Sequence, residues 1–101
     1  MTSSDLTVTI AKDLADLIPV FMKNRQKELG TLRSALAGED FEQLRQLGHR
    51  MKGVGHSYGF AQVSEIGKRI EDGARGSDHG AIDACISEYA DYLSKVQVVY
   101  E

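Results

Sequence analysis

Apolar residues recur along most of the chain at steps of three and four positions, the spacing of one face of an α-helix. The first such stretch begins near Lys12 and ends near Gly38. A proline inside a helix costs about 3 kcal/mol but is tolerated in the first turn. Pro19 therefore predicts either a short helix followed by a long one, or one helix kinked there. Gly38 can cap the end of this helix and Asp40 the start of the next, so the connection is short.

Three further amphipathic segments follow, separated by turns rich in Gly, Ser and Asp. The predicted helices cover about 41–56, 61–74 and 79–99. Short connections make neighbouring helices antiparallel. The pattern therefore predicts an all-α fold, an antiparallel up-down-up-down four-helix bundle formed by residues 12–101.

The N-terminal residues lack this helical pattern. Residues 1–11 are predicted to form a short N-terminal arm or helix, either extended or packed on the bundle through Val8 and Ile10. The first six residues are polar, without a basic segment followed by an apolar one, so no secretion signal is predicted.

Composition narrows the class of protein. A chain of 101 residues with 42% hydrophobic residues is one domain by size. Its net charge of -3 is spread over interleaved acids and bases, which argues against nucleic-acid binding. Cys85 is the only cysteine, so no intramolecular disulfide is possible and a buried thiol is expected. No apolar run approaches the roughly 20 residues that span a bilayer. We expect a cytoplasmic monomer that binds neither membranes nor nucleic acid.

His49 is the candidate functional residue of the second predicted helix. At about 100° per residue, it falls opposite the apolar stripe and points outwards. That stripe contains Leu44, Leu47, Met51, Val54 and Tyr58. Glycine inside a helix costs up to about 1 kcal/mol relative to Ala, a cost that something should offset. Gly48 and Gly55 could permit close helix packing. Gly53, one turn beyond His49 on its own face, mainly leaves space for something to approach the imidazole.

An exposed imidazole can carry a phosphoryl group, because one ring nitrogen is nucleophilic while the other donates a hydrogen bond that fixes the tautomer. Lys52, one turn from His49, could offset the negative phosphoryl oxygens, with Arg45 and Arg50 as weaker candidates. If the second and third helices run antiparallel, Lys68 also comes level with His49 and is a second possible phosphate partner.

Two neighbouring residues keep alternative interpretations. Glu71 could accept a hydrogen bond from the His49 ring or lie on the solvated face. His56 lies two turns from His49, about 10 Å along the axis. This is too far for both rings to ligate one metal directly, and a surface or turn-capping role is expected.

The run from His49 to Gly53, His-Arg-Met-Lys-Gly, followed by Gly59 and Phe60, resembles the phosphorylated helix of histidine-containing phosphotransfer (HPt) domains. The pattern of that family is His, any residue, a large apolar residue, Lys, Gly and a later Gly. Other similar segments are 16–21, 37–41 and 70–71, so the resemblance covers most of the chain. His56 departs from the family, which commonly has a small residue there.

The resemblance implies a bundle that relays a phosphoryl group between receiver-domain aspartates, or takes it from a histidine kinase system. His49 would be the phosphoacceptor, Lys52 its charge partner and Gly53 the space through which the receiver docks. From their positions beside His49, we also expect Arg45 and Arg50 on the docking face. The partners would be a response-regulator receiver domain, a hybrid histidine kinase, or both. No cofactor or metal of the chain's own is expected, since the receiver would bring Mg²⁺ and the aspartate.

Other functions remain possible at this point. The chain has no glycine-rich P-loop, so we expect a phosphotransfer intermediate without its own kinase domain. The alternative is an interaction module of the same fold that docks a receiver or kinase without being phosphorylated. A metal-binding bundle is disfavoured, because the paired Glu and Glu-x-x-His ligands of di-metal bundles are absent.

Overall fold

The computed structural model describes residues 6–101. The first five residues of the predicted arm lie outside this range. The elements in chain order are β1 (Thr7–Ile10), a 3-10 helix (Lys12–Leu17), α1 (Ile18–Ala37), α2 (Phe41–Tyr58), α3 (Ala61–Arg75), α4 (His79–Lys95) and β2 (Gln97–Tyr100). In this part of the chain, no helix is both long and apolar enough to cross a membrane.

The helix boundaries follow local signals in the sequence. Pro19 lies in the first turn of α1, directly after the short 3-10 helix, so the break predicted at this proline is confirmed. The Asp40 side chain accepts a hydrogen bond from the Gln43 backbone N–H at 3.1 Å and caps α2. Asp78 caps α4 in the same way, through the N–H of Ala81 at 3.1 Å.

The all-α prediction is wrong at the two ends of the described chain. β1 and β2 form a two-stranded parallel sheet in which Thr7 is level with Gln97 and Ile10 with Tyr100. The last helix therefore ends at Lys95 and does not reach residue 99. Residues 97–100 include two valines and a tyrosine, types that favour a strand once a partner strand is present. Residues 7–10 of the predicted arm are extended, and the Val8 and Ile10 side chains are buried against the bundle.

The four helices enclose one core. α1 contacts α2 and α4, and α3 also contacts α2 and α4. The largest fully buried apolar side chains are Leu32, Leu44, Met51, Phe60, Val63, Ile66, Ile70, Ile82 and Tyr89. Cys85 is a buried free thiol, as expected.

α2 and α3 approach each other closely because glycines lie where the two helices touch, Gly48 and Gly55 on α2 and Gly67 on α3. A Cβ on Gly48 would lie 2.6 Å from the carbonyl oxygen of Gly67, and one on Gly55 would lie 2.5 Å from the Ser64 nitrogen. The Ser64 hydroxyl also donates to the Lys52 carbonyl oxygen at 2.6 Å. Later residues of α2 therefore contact earlier residues of α3. This close approach brings the second half of α3 beside His49.

Candidate functional site

His49 lies on the solvent side of α2, as its helical phase predicts. Its side chain is 66% exposed, whereas Leu47 and Met51 of the same helix are buried in the core. One ring nitrogen is nevertheless held, because His49 Nδ1 lies 3.1 Å from Glu71 Oε2. The imidazole is thus open to an approaching molecule and fixed in orientation.

Glu71 is the centre of the site. Its side chain is only 2% exposed, yet three groups reach its two carboxylate oxygens. Lys52 Nζ lies 3.1 Å from Oε1, while His49 Nδ1 and Arg75 Nη2 lie 3.1 and 3.2 Å from Oε2. A buried carboxylate with these partners is satisfied by hydrogen bonds and by charge.

The partners of Glu71 keep it ionised. Burial alone raises the pKa of this carboxyl, because it disfavours the charged form. The hydrogen bond and charge of Lys52, the hydrogen bond of His49 and the charge of Arg75 act in the opposite direction and prevail, so the pKa of Glu71 lies below its usual value. Glu71 is therefore a carboxylate at neutral pH.

An ionised Glu71 determines the tautomer of His49. A carboxylate only accepts hydrogen bonds, so the tautomer that fits this site carries its proton on Nδ1, the nitrogen that faces Glu71. Nε2 then carries the lone pair, on the exposed side of the imidazole. The arrangement can present a neutral nitrogen nucleophile to an electrophile in solvent, with a carboxylate behind it to stabilise positive charge on the ring.

Two predicted phosphate partners lie in different surroundings. Lys52 shares Glu71 with His49, so the structure brings these two residues together. Lys68 instead pairs with Asp72, with 3.2 Å between Nζ and Oδ2. Within residues 6–101, no hydrogen bond or ion pair joins its ammonium to His49 or Glu71.

The predicted docking residues all lie on exposed or half-exposed parts of α2. Gly53 is open, since a Cβ built on it meets nothing within 4 Å. Arg45 is held by Glu42 through two hydrogen bonds, of 3.1 and 2.7 Å. Arg50 is exposed and forms no ion pair within residues 6–101.

A groove with a volume of about 620 Å³ lies beside the site, between the end of α2 and the start of α3. Lys52 and Lys68 both line it, and His56 and Glu65 complete its charged and titratable lining. His56 is thus an exposed residue of the groove wall, and Lys52 connects the groove to the His49–Glu71 pair.

Sequence reasoning left the role of Glu71 undecided and assigned no functional role to Arg75. The available signal was the register of α2 against α3. Lys68 was expected level with His49, and its neighbour Gly67 lies against Gly48, one helical turn before Glu71. Glu71, one turn after Gly67, would then have been expected beside His49, with Arg75 one turn further along α3.

The helical bundle and its exposed histidine define a candidate phosphotransfer protein. The family model of the Hpt domain matches residues 16–97, so the chain belongs to the Hpt family. Hpt domains carry phosphoryl groups on histidine in two-component phosphorelays and are not kinases. No curated protein and no solved structure shows a significant match to the chain. Within residues 6–101, no group of three or more His, Cys, Asp or Glu side chains is arranged to hold a metal ion.

Proposed function

We propose that this chain is a phosphorelay carrier that accepts a phosphoryl group on Nε2 of His49 and exchanges it with an aspartate of a receiver domain. The observation that carries the proposal is the hydrogen bond of 3.1 Å between His49 Nδ1 and the buried Glu71 carboxylate. It leaves the lone pair on the exposed nitrogen, where a partner can reach it.

The transfer step follows from that geometry. The Nε2 lone pair of His49 attacks the phosphorus of an aspartyl phosphate on the receiver. A P–N bond forms, the P–O bond to the aspartate breaks, and the aspartate leaves with the electron pair as a carboxylate. The ring, which keeps its proton on Nδ1, now carries positive charge, and the Glu71 carboxylate stabilises it. The reverse step returns the phosphoryl group to an aspartate.

Lys52 is the proposed phosphate-stabilising residue on the chain's side. Its side chain is 42% exposed and follows His49 by one turn, so the ammonium can turn towards oxygens on Nε2 while the stem stays in place. Lys52→Ala should slow transfer or shorten the lifetime of phosphohistidine without unfolding the bundle. Lys68 is a secondary candidate that acts from the groove.

The docking face proposed for the receiver surrounds His49. Gly53 provides the gap, Arg45 and Arg50 provide positive charge, and the adjacent groove provides a concave surface. An acidic receiver site that carries a phosphoryl group would be attracted by these charges. A hybrid histidine kinase is the other proposed partner.

The same proposal includes an up-down-up-down arrangement of the helices in a bundle of residues 12–101. Contacts between α2 and α3 support it, since Gly48 lies against Glu71 and Gly55 against Ser64. α3 and α4 are related in the same way, since Gly73 lies against Ile82 and Arg69 contacts Glu88. The cytoplasmic location and the monomeric state stay predictions.

The three histidines of the chain provide a matched test. The wild-type protein is incubated with a panel of receiver domains that carry radiolabelled aspartyl phosphate, and acid-labile label is measured. We expect label on the wild-type protein and on the His56→Gln and His79→Gln variants, and none on His49→Gln. Label on His49→Gln, or none on the wild-type protein from any receiver, contradicts the proposal.

The His49→Gln variant also distinguishes two functions, a carrier that is phosphorylated and an interaction module that only docks a partner. The groove next to His49 favours docking of a partner whether or not the histidine is phosphorylated. A module that only docks should keep its partner affinity and its effect in cells when His49 is changed to Gln. A carrier should keep the affinity and lose the effect.

A further inference from the structure

Two cationic side chains contact the single buried carboxylate of Glu71. Lys52 contacts one oxygen at 3.1 Å, and Arg75 contacts the other at 3.2 Å. Both cations are themselves partly exposed, so neither needs Glu71 to be satisfied. One of the two contacts can therefore be given up during function while the other keeps the carboxylate paired.

Lys52 is the cation that the proposed transfer draws away. It lies on the same helix as His49, one turn further. The oxygens of a phosphoryl group that approaches Nε2 would compete with Glu71 for its ammonium before positive charge develops on the ring. A buried carboxylate that loses its only charge partner is strongly destabilised and takes up a proton. It could then no longer hold the proton on Nδ1 of His49 as an acceptor.

Arg75 can prevent protonation of Glu71 when Lys52 turns away. It lies on α3, one turn after Glu71, and its Nη2 contacts Oε2, the oxygen that also accepts from His49. Its other terminal nitrogen lies 3.8 Å from Asp72, which helps to hold the guanidinium in position. An arginine stays charged at every relevant pH, and its fork of donors can serve both carboxylates.

We propose that Arg75 is a positioning residue that keeps Glu71 ionised, and the His49 proton on Nδ1, while Lys52 turns to the phosphoryl group. This inference rests on the proposed function. The charged and titratable groups that surround Glu71 are His49, Lys52 and, at longer range, Arg45 on α2, and Arg75 and Asp72 on α3.

The test uses the unphosphorylated protein and needs no partner. Lys52→Gln imitates an ammonium that has turned away, and ¹⁵N NMR of the imidazole reports which nitrogen of His49 carries the proton. We expect Lys52→Gln and Arg75→Gln to keep the Nδ1–H form at neutral pH. The double variant should lose it and show a mixture of tautomers. Arg75→Lys combined with Lys52→Gln should keep the Nδ1–H form, because a cation remains.

Arg69 provides the control on the same helix, since it pairs with Glu88 at 2.7 Å and not with Glu71. Arg69→Gln combined with Lys52→Gln should match Lys52→Gln alone. Loss of the Nδ1–H form in Lys52→Gln alone, or its retention in the double variant with Arg75→Gln, would overturn the role of Arg75. Failure of phosphotransfer would instead appear in the labelling of His49, so the two proposals fail separately.

Discussion

Replacing Gly53 with Ala separates a docking role for this glycine from its effect on stability. Gly53 is exposed in α2, and a Cβ built on it meets nothing within 4 Å. Alanine inside a helix is favoured over glycine by about 1 kcal/mol, and no contact opposes that gain here. Gly53→Ala should therefore raise the free energy of unfolding by about 1 kcal/mol, or the melting temperature by about 4–8 °C for a domain of this size.

Gly30 provides a matched control. It lies exposed in α1, and a Cβ there also meets nothing within 4 Å, so Gly30→Ala should stabilise the protein by a similar amount. Urea unfolding followed by circular dichroism measures both variants. Transfer from a phosphorylated receiver should stay unchanged in Gly30→Ala and become slower in Gly53→Ala.

A larger side chain sharpens the comparison. An overpacked contact costs about 1–3 kcal/mol, so Gly53→Leu should weaken receiver binding by roughly 5- to 150-fold, while Gly30→Leu should leave it unchanged. Two results would refute the reasoning. A Gly53→Ala protein less stable than the wild type would mean that the space is not open, and full receiver affinity in Gly53→Leu would mean that nothing docks there.

Four more variants test the core and the buried charge. Gly48→Ala places a Cβ 2.6 Å from a backbone oxygen of α3, so it should force the helices apart and lower the free energy of unfolding by about 1–3 kcal/mol in urea denaturation. The Tyr92 hydroxyl is buried without a hydrogen-bond partner in residues 6–101, so Tyr92→Phe should raise stability by about 1 kcal/mol. Tyr89→Phe removes a buried hydrogen bond of 2.8 Å to Glu28 and should lower stability by about 1–2 kcal/mol. The pKa of Glu71 is lower in the folded protein than in the unfolded chain, so its contribution is complete above the unfolded value and is lost as the pH falls through the folded one. As the pH falls below the usual glutamate pKa value of 4.5, the wild-type protein should therefore lose more stability than Glu71→Gln in acid denaturation.

The sequence predicts the parts of the fold that depend on neighbouring residues. Helical phase alone placed His49 opposite the buried Leu47 and Met51, because a stripe of apolar residues has only one way to face a core. The cap at Asp40 was also predictable, since it depends on one side chain and a backbone N–H three residues later.

The strand pair depends on residues far apart in the chain. Residues 96–100 continue the helical spacing of α4 and equally suit an extended strand. What decides between them is Thr7–Ile10, about 90 residues earlier, whose backbone groups pair with β2. The spacing of apolar residues within either segment does not indicate this pairing. The prediction of helix up to residue 99 was therefore wrong for a reason that periodicity could not reveal.

Glu71 was uncertain for a related reason, because its role depends on the distance and register between two helices. The glycines of α2 contain part of that information. Gly48 and Gly55 each occupy a position where a Cβ would overlap backbone of α3, so packing offsets their cost in helix propensity and brings Glu71 to His49. Gly53 has the same cost and no such contact. Packing within the described chain does not offset the cost of Gly53 in helix propensity. A partner protein that needs this space to approach His49 would explain the glycine.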